Sequence, residues 1–371
     1  MPEQITVGAA QIVTVPEDLE ANLATHLDAI SDARGRGVDL LVFPELSLTG
    51  YHLSDDSFRL ARSRRATVVQ QIAEASVGLT TQFGFIEEGP GAQFYNSVLA
   101  VRDGAIEHLH RKVNLPSYGK LDENKHFASG RFMETAMLDD VWRYGVLICA
   151  DAWNPALVHL AAMNGATLLS IPISSSIDAV DGEFSNPHGW DLALRFYAMA
   201  YGMPIVMANR VGVEGSAEFW GGSAIIDAHG RVVAQAGDQA ELIIGEFDYA
   251  QVRQARFHLP TVRDSNFIFG LIDSSYIQLR QVDVDTVRDS AFITGIIDSA
   301  YIQAREAAGG ASGLDSTQAI ALVDSAYVQA RVTFPADQVG LDSDQTINLI
   351  DSAYVQARQV DLDTQRDSAF I

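Results

Sequence analysis

From Ile5 to Val13 nearly every position is small or apolar, and the spacing then opens to Leu19, Leu23, Leu27 and Ile30. Steps of four, four and three place those side chains on one face of a helix, with Pro16 and Glu17 as its start signals. Short apolar runs predict strands at Asp39–Phe43, Thr81–Ile86, Asn96–Val101, Ile106–Leu115, Tyr144–Ala150, Thr167–Pro172 and Ile205–Asn209. Helices are predicted near Ala156–Asn164 and Trp190–Tyr201, and Ser223–Ala234 reads as a hairpin around His229-Gly230. Crossover units mixed with hairpins predict an α/β sandwich rather than a pure doubly wound sheet.

Past Arg263 the pattern becomes an internal repeat of paired Asp-Ser steps nine residues apart. The first members are Asp264, Asp289, Asp315 and Asp342, and the second are Asp273, Asp298, Asp324 and Asp351. Each second step opens D-S-x-Y-[IV]-Q-x-R, and a fifth unit starts at Asp367. The expected division is therefore 1–263 and 264–371, the latter with four full repeats of about 25–27 residues and one truncated. Ile320, Val323, Tyr327 and Ala330 fall at helical spacings, although Gly270 and Gly295 oppose a helix in two copies. The tail is expected either to gain helix by stacking or self-association, or to be a disordered extension. It resembles short repeats of tail-fibre-like proteins of marine phages and bacteria, a likeness that carries no chemistry.

Charge and composition then exclude several functions. With 47% hydrophobic residues in 371, the chain can bury a large core, and a net charge of −23 with pI about 4.6 opposes a surface built for phosphates or anionic lipid. Nucleic acid and membrane are not expected partners. Cys149 is the single cysteine, so no disulfide forms within a chain. No run approaches the roughly 18 apolar residues of a membrane span, and a soluble, cytoplasmic protein is expected.

Three stretches carry candidate chemistry: F-P-E-L-S-L-T-G-Y (43–51), H-R-K-V-N-L-P-S-Y-G-K-L-D-E (110–123) and G-V-L-I-C-A-D-A-W-N-P (145–155). Singly, Cys149 reads as a core thiol, Glu45 as a helix-start carboxylate and Lys112 as a surface charge. Together, a carboxylate, an ammonium and a thiol leaving strands can form a base, an oxyanion clamp and a nucleophile. A serine elbow, an H-E-x-x-H helix and a phosphate-binding loop are all absent from the sequence, and no His or Cys cluster has metal-ligand spacing, so neither metal nor cofactor is expected.

These motifs, with G-G-S-A-I-I-D-A-H-G-R-V (221–232), resemble the nitrilase, or carbon-nitrogen hydrolase, superfamily over residues 5–263. The resemblance implies a four-layer α-β-β-α sandwich, commonly dimeric, with Glu45, Lys112 and Cys149 as a catalytic triad. It further implies Glu123 as a second glutamate beside the lysine, and the Ala150 N–H as an oxyanion donor. Lys112 beside Cys149 is expected to favour the thiolate. Cys149-Ala150-Asp151 is similar to the amidase pattern C-x-D rather than the Cys-Trp-Glu of nitrilases. Tyr51, Tyr118 and L-P-S-Y-G-K-L-D-E are similar to the substrate pocket of the glutaminase domain of glutamine-dependent NAD synthetases, but no S-G-G-x-D-S motif follows. Tyr51 and Tyr118 read equally as rim aromatics. Ser174–Ser176, Asn209 and Arg210 could face the pocket, whereas Trp190 and Arg195 are expected to pack and pair. The implied activity is hydrolysis of a small linear carboxamide through a cysteine thioester. N-carbamoyl amines or amino acids and nitriles are alternative substrates, and a structural or attachment protein carrying a hydrolase-like passenger is the alternative of another class.

Overall fold

Strands that are apolar on both faces need a covering layer on each side, and the chain supplies such strands twice. The computed structural model describes residues 3–51, 57–119, 121–180 and 183–265. The repeat beyond Ser265 lies outside the described residues. The chain runs β1 (Gln4–Gln11), α1 (Leu19–Gly35), β2 (Leu40–Val42), α2 (Thr67–Ala75), β3 (Thr80–Gly89), β4 (Gln93–Arg102) and β5 (Ala105–Arg111). It continues through β6 (Thr135–Met137), β7 (Arg143–Val146), α3 (Pro155–Met163), β8 (Leu168–Pro172), α4 (Asn186–Tyr201) and β9 (Ile205–Ala208). Last come β10 (Val211–Glu214), β11 (Ala217–Trp220), β12 (Ala224–Ile226), β13 (Val232–Gln235), β14 (Glu241–Asp248) and α5 (Tyr249–His258).

Two six-stranded sheets have the orders β14-β1-β2-β3-β4-β5 and β13-β12-β9-β8-β7-β6, and β10-β11 form a separate hairpin. Three apolar cores separate four layers. Val7, Ala9, Leu40, Val42, Val98 and Ala100 meet Tyr144, Val146, Leu168, Val206 and Ala208 between the sheets. The alternate residues, among them Leu41, Phe43, Phe83 and Phe85, face Ile30 and Ala33 of α1 and Val69 and Ile72 of α2. On the second sheet Leu169, Ile171 and Ile205 face Leu157 and Ala161 of α3 and Trp190 and Leu194 of α4. The expected α/β, four-layer α-β-β-α architecture is what the chain adopts, in the order α1/α2, first sheet, second sheet, α3/α4. Among the described residues no helix is long and apolar enough to cross a membrane.

Several elements differ from their sequence reading. The buried face of α1 is Asn22, His26, Ile30 and Ala33; of the predicted stripe only Ile30 is fully buried, with Leu19 and Leu23 packed at the edge of the same core. The polar pair tolerates burial because it is bonded: Asn22 Nδ2 donates to Val15 O and Leu48 O at 2.8 and 3.0 Å, and His26 Nε2 lies 2.9 Å from Ser47 Oγ. β5 stops at Arg111 and β7 at Val146, each earlier than its apolar run. α2, α5, β6, β14 and the β10-β11 hairpin are additional. α5 buries only Val252 and Ala255 and therefore leaves little periodic signal.

Candidate active site

The site lies at the carboxyl ends of β2, β5, β7, β8 and β9, where an open α/β sheet exposes backbone and side chains to a pocket. Glu45 follows β2 on a turn, not at a helix start, and Leu46 beside it has φ +46°. The turn rests on the backbone of β3: Leu48 N donates to Gly84 O at 3.0 Å, and a Cβ on Gly84 would stand 2.3 Å from Leu46 N. Only glycine permits that approach. From the other side, Asn22 and His26 of α1 hold Leu48 and Ser47.

Lys112 is the residue after β5, and its backbone is fixed by Lys112 N to Asn96 O at 2.9 Å and Gly130 N to Lys112 O at 2.7 Å. Its ammonium is fully buried and bridges Glu45 Oε1 at 2.6 Å and Glu123 Oε1 at 2.7 Å. Asn96 Nδ2 donates to the same two carboxylates at 2.8 and 3.3 Å, and the Tyr51 hydroxyl donates to Glu123 Oε1 at 2.6 Å. Ser174 N donates to the second oxygen of Glu45 at 2.9 Å. The carboxylates are thus held by donors on four separate segments.

Cys149 is not a strand end. It opens a short 3₁₀ turn, Cys149–Asp151, with φ +44°, a conformation that costs a non-glycine residue on the order of 1 kcal/mol or more. Buried Asp151 maintains it. Its carboxylate accepts from Ile148 N at 3.1 Å, Val113 N at 3.0 Å and Asn114 N at 2.7 Å, and lies 2.9 Å from His110 Nε2. The Cys149 turn is thereby tied to the chain just past Lys112.

Burial and neighbouring charges set the ionisation of the site. Burial would lower the Lys112 ammonium's affinity for its proton, but Glu123, Glu45 and the Cys149 sulfur together hold its pKa well above the ordinary lysine value. Burial raises the Cys149 thiol well above its usual range, and Glu45 raises it further, exceeding the opposing pull of Lys112. Lys112 thus favours the thiolate as expected, but burial and Glu45 outweigh it. Burial also raises Glu123, with Lys112 opposing and Glu45 adding to the shift.

Glu45, Lys112, Glu123, Cys149, Ala150 and Tyr51 converge, and half-exposed Tyr118 stands within electrostatic reach of Cys149 and Lys112. Tyr51 is held by β10-β11: its N–H donates to Glu214 Oε1 at 2.9 Å, Arg210 pairs with Glu214 at 2.6 Å, and Arg210 stacks on Phe219 at 4.4 Å. Trp190 is a buried packing residue, and Arg195 forms a surface pair with Asp191 at 3.5 Å. Sequence reasoning missed Asn96 and the roles of Asp151 and the Ser174 N–H. For Asp151 the only signal was its place in C-x-D. Among the described residues no three His, Cys, Asp or Glu side chains are grouped to hold a metal.

Residues 6–257 match the profile of the carbon-nitrogen hydrolase family. The chain is 32% identical over 234 residues to a glutamine-dependent NAD(+) synthetase of Thermotoga maritima, covering 62% of this chain and 40% of that protein. It is 28% identical over 277 residues to the N-carbamoylputrescine amidase of Solanum lycopersicum, covering 70% of this chain and 91% of that protein. The chain thus spans less than half of the synthetase relative's length. A carbon-nitrogen hydrolase of Helicobacter pylori G27 superposes with a TM-score of 0.63 over 71% of this chain and 95% of its own, at 23% identity, a likeness of fold. The fold and the match over more than half its length make this chain a member of the carbon-nitrogen hydrolase family.

Proposed function

We propose that the chain hydrolyses a small linear carboxamide to carboxylate and ammonia through a Cys149 thioester, without a cofactor. The observation that carries this reading is a buried ammonium bridging two carboxylates beside the chain's single cysteine. Because Cys149 rests as a thiol, attack needs a base, and Glu45 takes the proton as sulfur adds to the carbonyl carbon. An ammonium has three N–H donors, and two of those on Lys112 serve Glu45 and Glu123. The third and the Ala150 N–H hold the oxyanion, each worth on the order of 3 kcal/mol in such sites. Collapse breaks the C–N bond, and the departing nitrogen takes the proton from Glu45. Water then adds to the thioester while Glu45 accepts its proton, and the second collapse frees the acid and restores the thiol. Tyr51 and Tyr118 contact substrate at the inner wall and rim.

A second reading, hydrolysis of an N-carbamoyl amine, is favoured by similarity along 91% of the tomato N-carbamoylputrescine amidase. The two are separated by incubating the protein with carboxamides including glutamine, N-carbamoyl amines and nitriles. Ammonia with a carboxylate supports the first, and ammonia with carbon dioxide and free amine supports the second. Intact mass after quenching should show an acyl adduct on the wild-type chain. No ammonia from any substrate would overturn both.

A further inference from the structure

Beyond the assigned side chains, the described residues hold a buried polar chain that links both sheets to the site. Gln11 of β1 donates through Nε2 to Gly237 O and Gln239 O at 2.8 and 2.7 Å. Its Oε1 accepts from Ser223 N at 2.9 Å, and Ser223 Oγ accepts from Asn209 N at 2.9 Å. Asn209, just past β9, then takes hold of both backbone polar groups of one residue. Its Oδ1 accepts from Ser175 N at 3.0 Å, and its Nδ2 donates to Ser175 O at 3.3 Å and Gly221 O at 2.9 Å. Gln11, Asn209 and Ser223 are almost wholly buried, where a network of this kind fixes one geometry because each unmade bond is costly.

The residue before the clamped Ser175 is Ser174, whose N–H donates to Glu45 Oε2 and also acts on the Cys149 sulfur. Ser174 Oγ donates to Glu45 O at 2.8 Å, and Glu45 N donates to Ile173 O at 3.3 Å. That N–H is thus bonded to the proton acceptor of the first step, and the same amide favours the anionic form of Cys149. As the S–H bond breaks and the O–H bond on Glu45 forms, negative charge passes from carboxylate to sulfur, and a donor that favours both anions stays with the charge.

We propose that Asn209 is a positioning residue for the nucleophile and base: by clamping Ser175 it holds the Ser174 N–H on Glu45 Oε2, and so sets how readily the thiol gives up its proton to that carboxylate. The inference rests on the reading of Cys149 as nucleophile and Glu45 as base, but its test needs no substrate. Because Cys149 is the single cysteine, alkylation by iodoacetamide followed by intact mass reports that thiol alone. Asn209→Ala should move the midpoint of the alkylation rate against pH upward by about one unit, a tenfold loss of thiolate at fixed pH. On whichever amide is turned over, kcat should fall about tenfold with KM unchanged, since the clamp acts on the reacting groups.

Trp190→Phe is the control. It removes the 3.2 Å bond from Trp190 Nε1 to Ser175 Oγ and leaves the backbone clamp intact, so it should lower thermal stability without moving the midpoint. A midpoint unchanged in Asn209→Ala, or shifted equally in Trp190→Phe, would overturn the proposal. If Asn209→Ala does not unfold cooperatively, Asn209→Ser, which keeps a neutral polar group, is read against the same expectation. Hydrogen exchange in the wild-type chain needs no variant: the Ser174 and Ser175 amides should exchange with the slowest core amides, and rapid exchange of either would also overturn the clamp. A shifted midpoint without ammonia release would remove the proposed reaction and keep the clamp. Ammonia release with an unmoved midpoint would do the reverse.

Discussion

Replacing Cys149 with alanine removes one sulfur from a turn whose geometry is held by Asp151 and its four bonding partners. Cys149→Ala should therefore abolish ammonia release while moving the melting temperature by no more than about 3 °C, the scale of 1 kcal/mol in a chain of this size. Lys112→Ala is a different kind of change. It leaves Glu45 and Glu123 buried without their shared cation, a situation that costs on the order of 3–5 kcal/mol, so both activity and the denaturation midpoint should fall. Retention of wild-type stability would show that the two carboxylates do not depend on Lys112. His26 gives a third residue-scale prediction. Burial lowers its pKa to about 4 from an ordinary 6.5, so between these values the unfolded chain binds a proton that the folded chain refuses. Its contribution, on the order of 3 kcal/mol, is present above pH 6.5 and lost as pH falls to about 4. Urea unfolding across that range should show the decline, and His26→Phe should flatten it.

At the scale of elements, catalytic geometry comes from how turns are held against strands. The Glu45 turn lies directly on β3 at Gly84, with no room for a methyl group: the nearest backbone atom would be 2.3 Å away. Gly84→Ala must displace the turn, and kcat should fall at least about tenfold, or 1.4 kcal/mol of transition-state stabilisation. The check is kcat beside the circular dichroism spectrum. A folded variant with unchanged kcat would show that the turn's position is not critical. The motifs around Glu45, Lys112 and Cys149 were legible in the sequence because each follows an apolar run. What the runs could not mark is where each strand ends. Val146, Leu147, Ile148 and Cys149 continue one hydrophobic pattern, yet the last has φ +44°. That conformation is imposed by Asp151 reaching residues 113 and 114, too far along the chain for local periodicity to register.

For the whole molecule, two proposals remain: a homodimer, and an active unit separable from the repeat. Leu192, Phe196 and Met199 on α4 are 57%, 58% and 47% exposed at spacings of four and three, an apolar stripe suited to a second copy. Sedimentation should show a dimer, and Phe196→Glu should convert it to monomer. A wild-type monomer would end the proposal. The separable unit, expected at 1–263, is tested with a chain ending at Ser265, which keeps the bonds of Asp264 N to Pro260 O at 2.9 Å and of Ser265 Oγ to Thr261 O at 2.6 Å. A chain ending there should stay soluble and active. Loss of either would place the repeat within the hydrolase unit or its dimer contact.

The sequence by itself determined the layers, because strands apolar on both faces can be satisfied only between covering layers, and alternation assigns each side chain to one of them. It also determined which residue types meet at the strand ends. Tertiary structure alone decided which polar groups are buried and what environment Cys149 meets. Gln11 meets Ser223 across 212 positions, and Ser174 meets Glu45 across 129. A polar side chain satisfied at such separation reads locally as a surface residue. The thiol rests protonated because burial and two carboxylates act on it together, and that sum depends on distances through space that no spacing along the chain encodes.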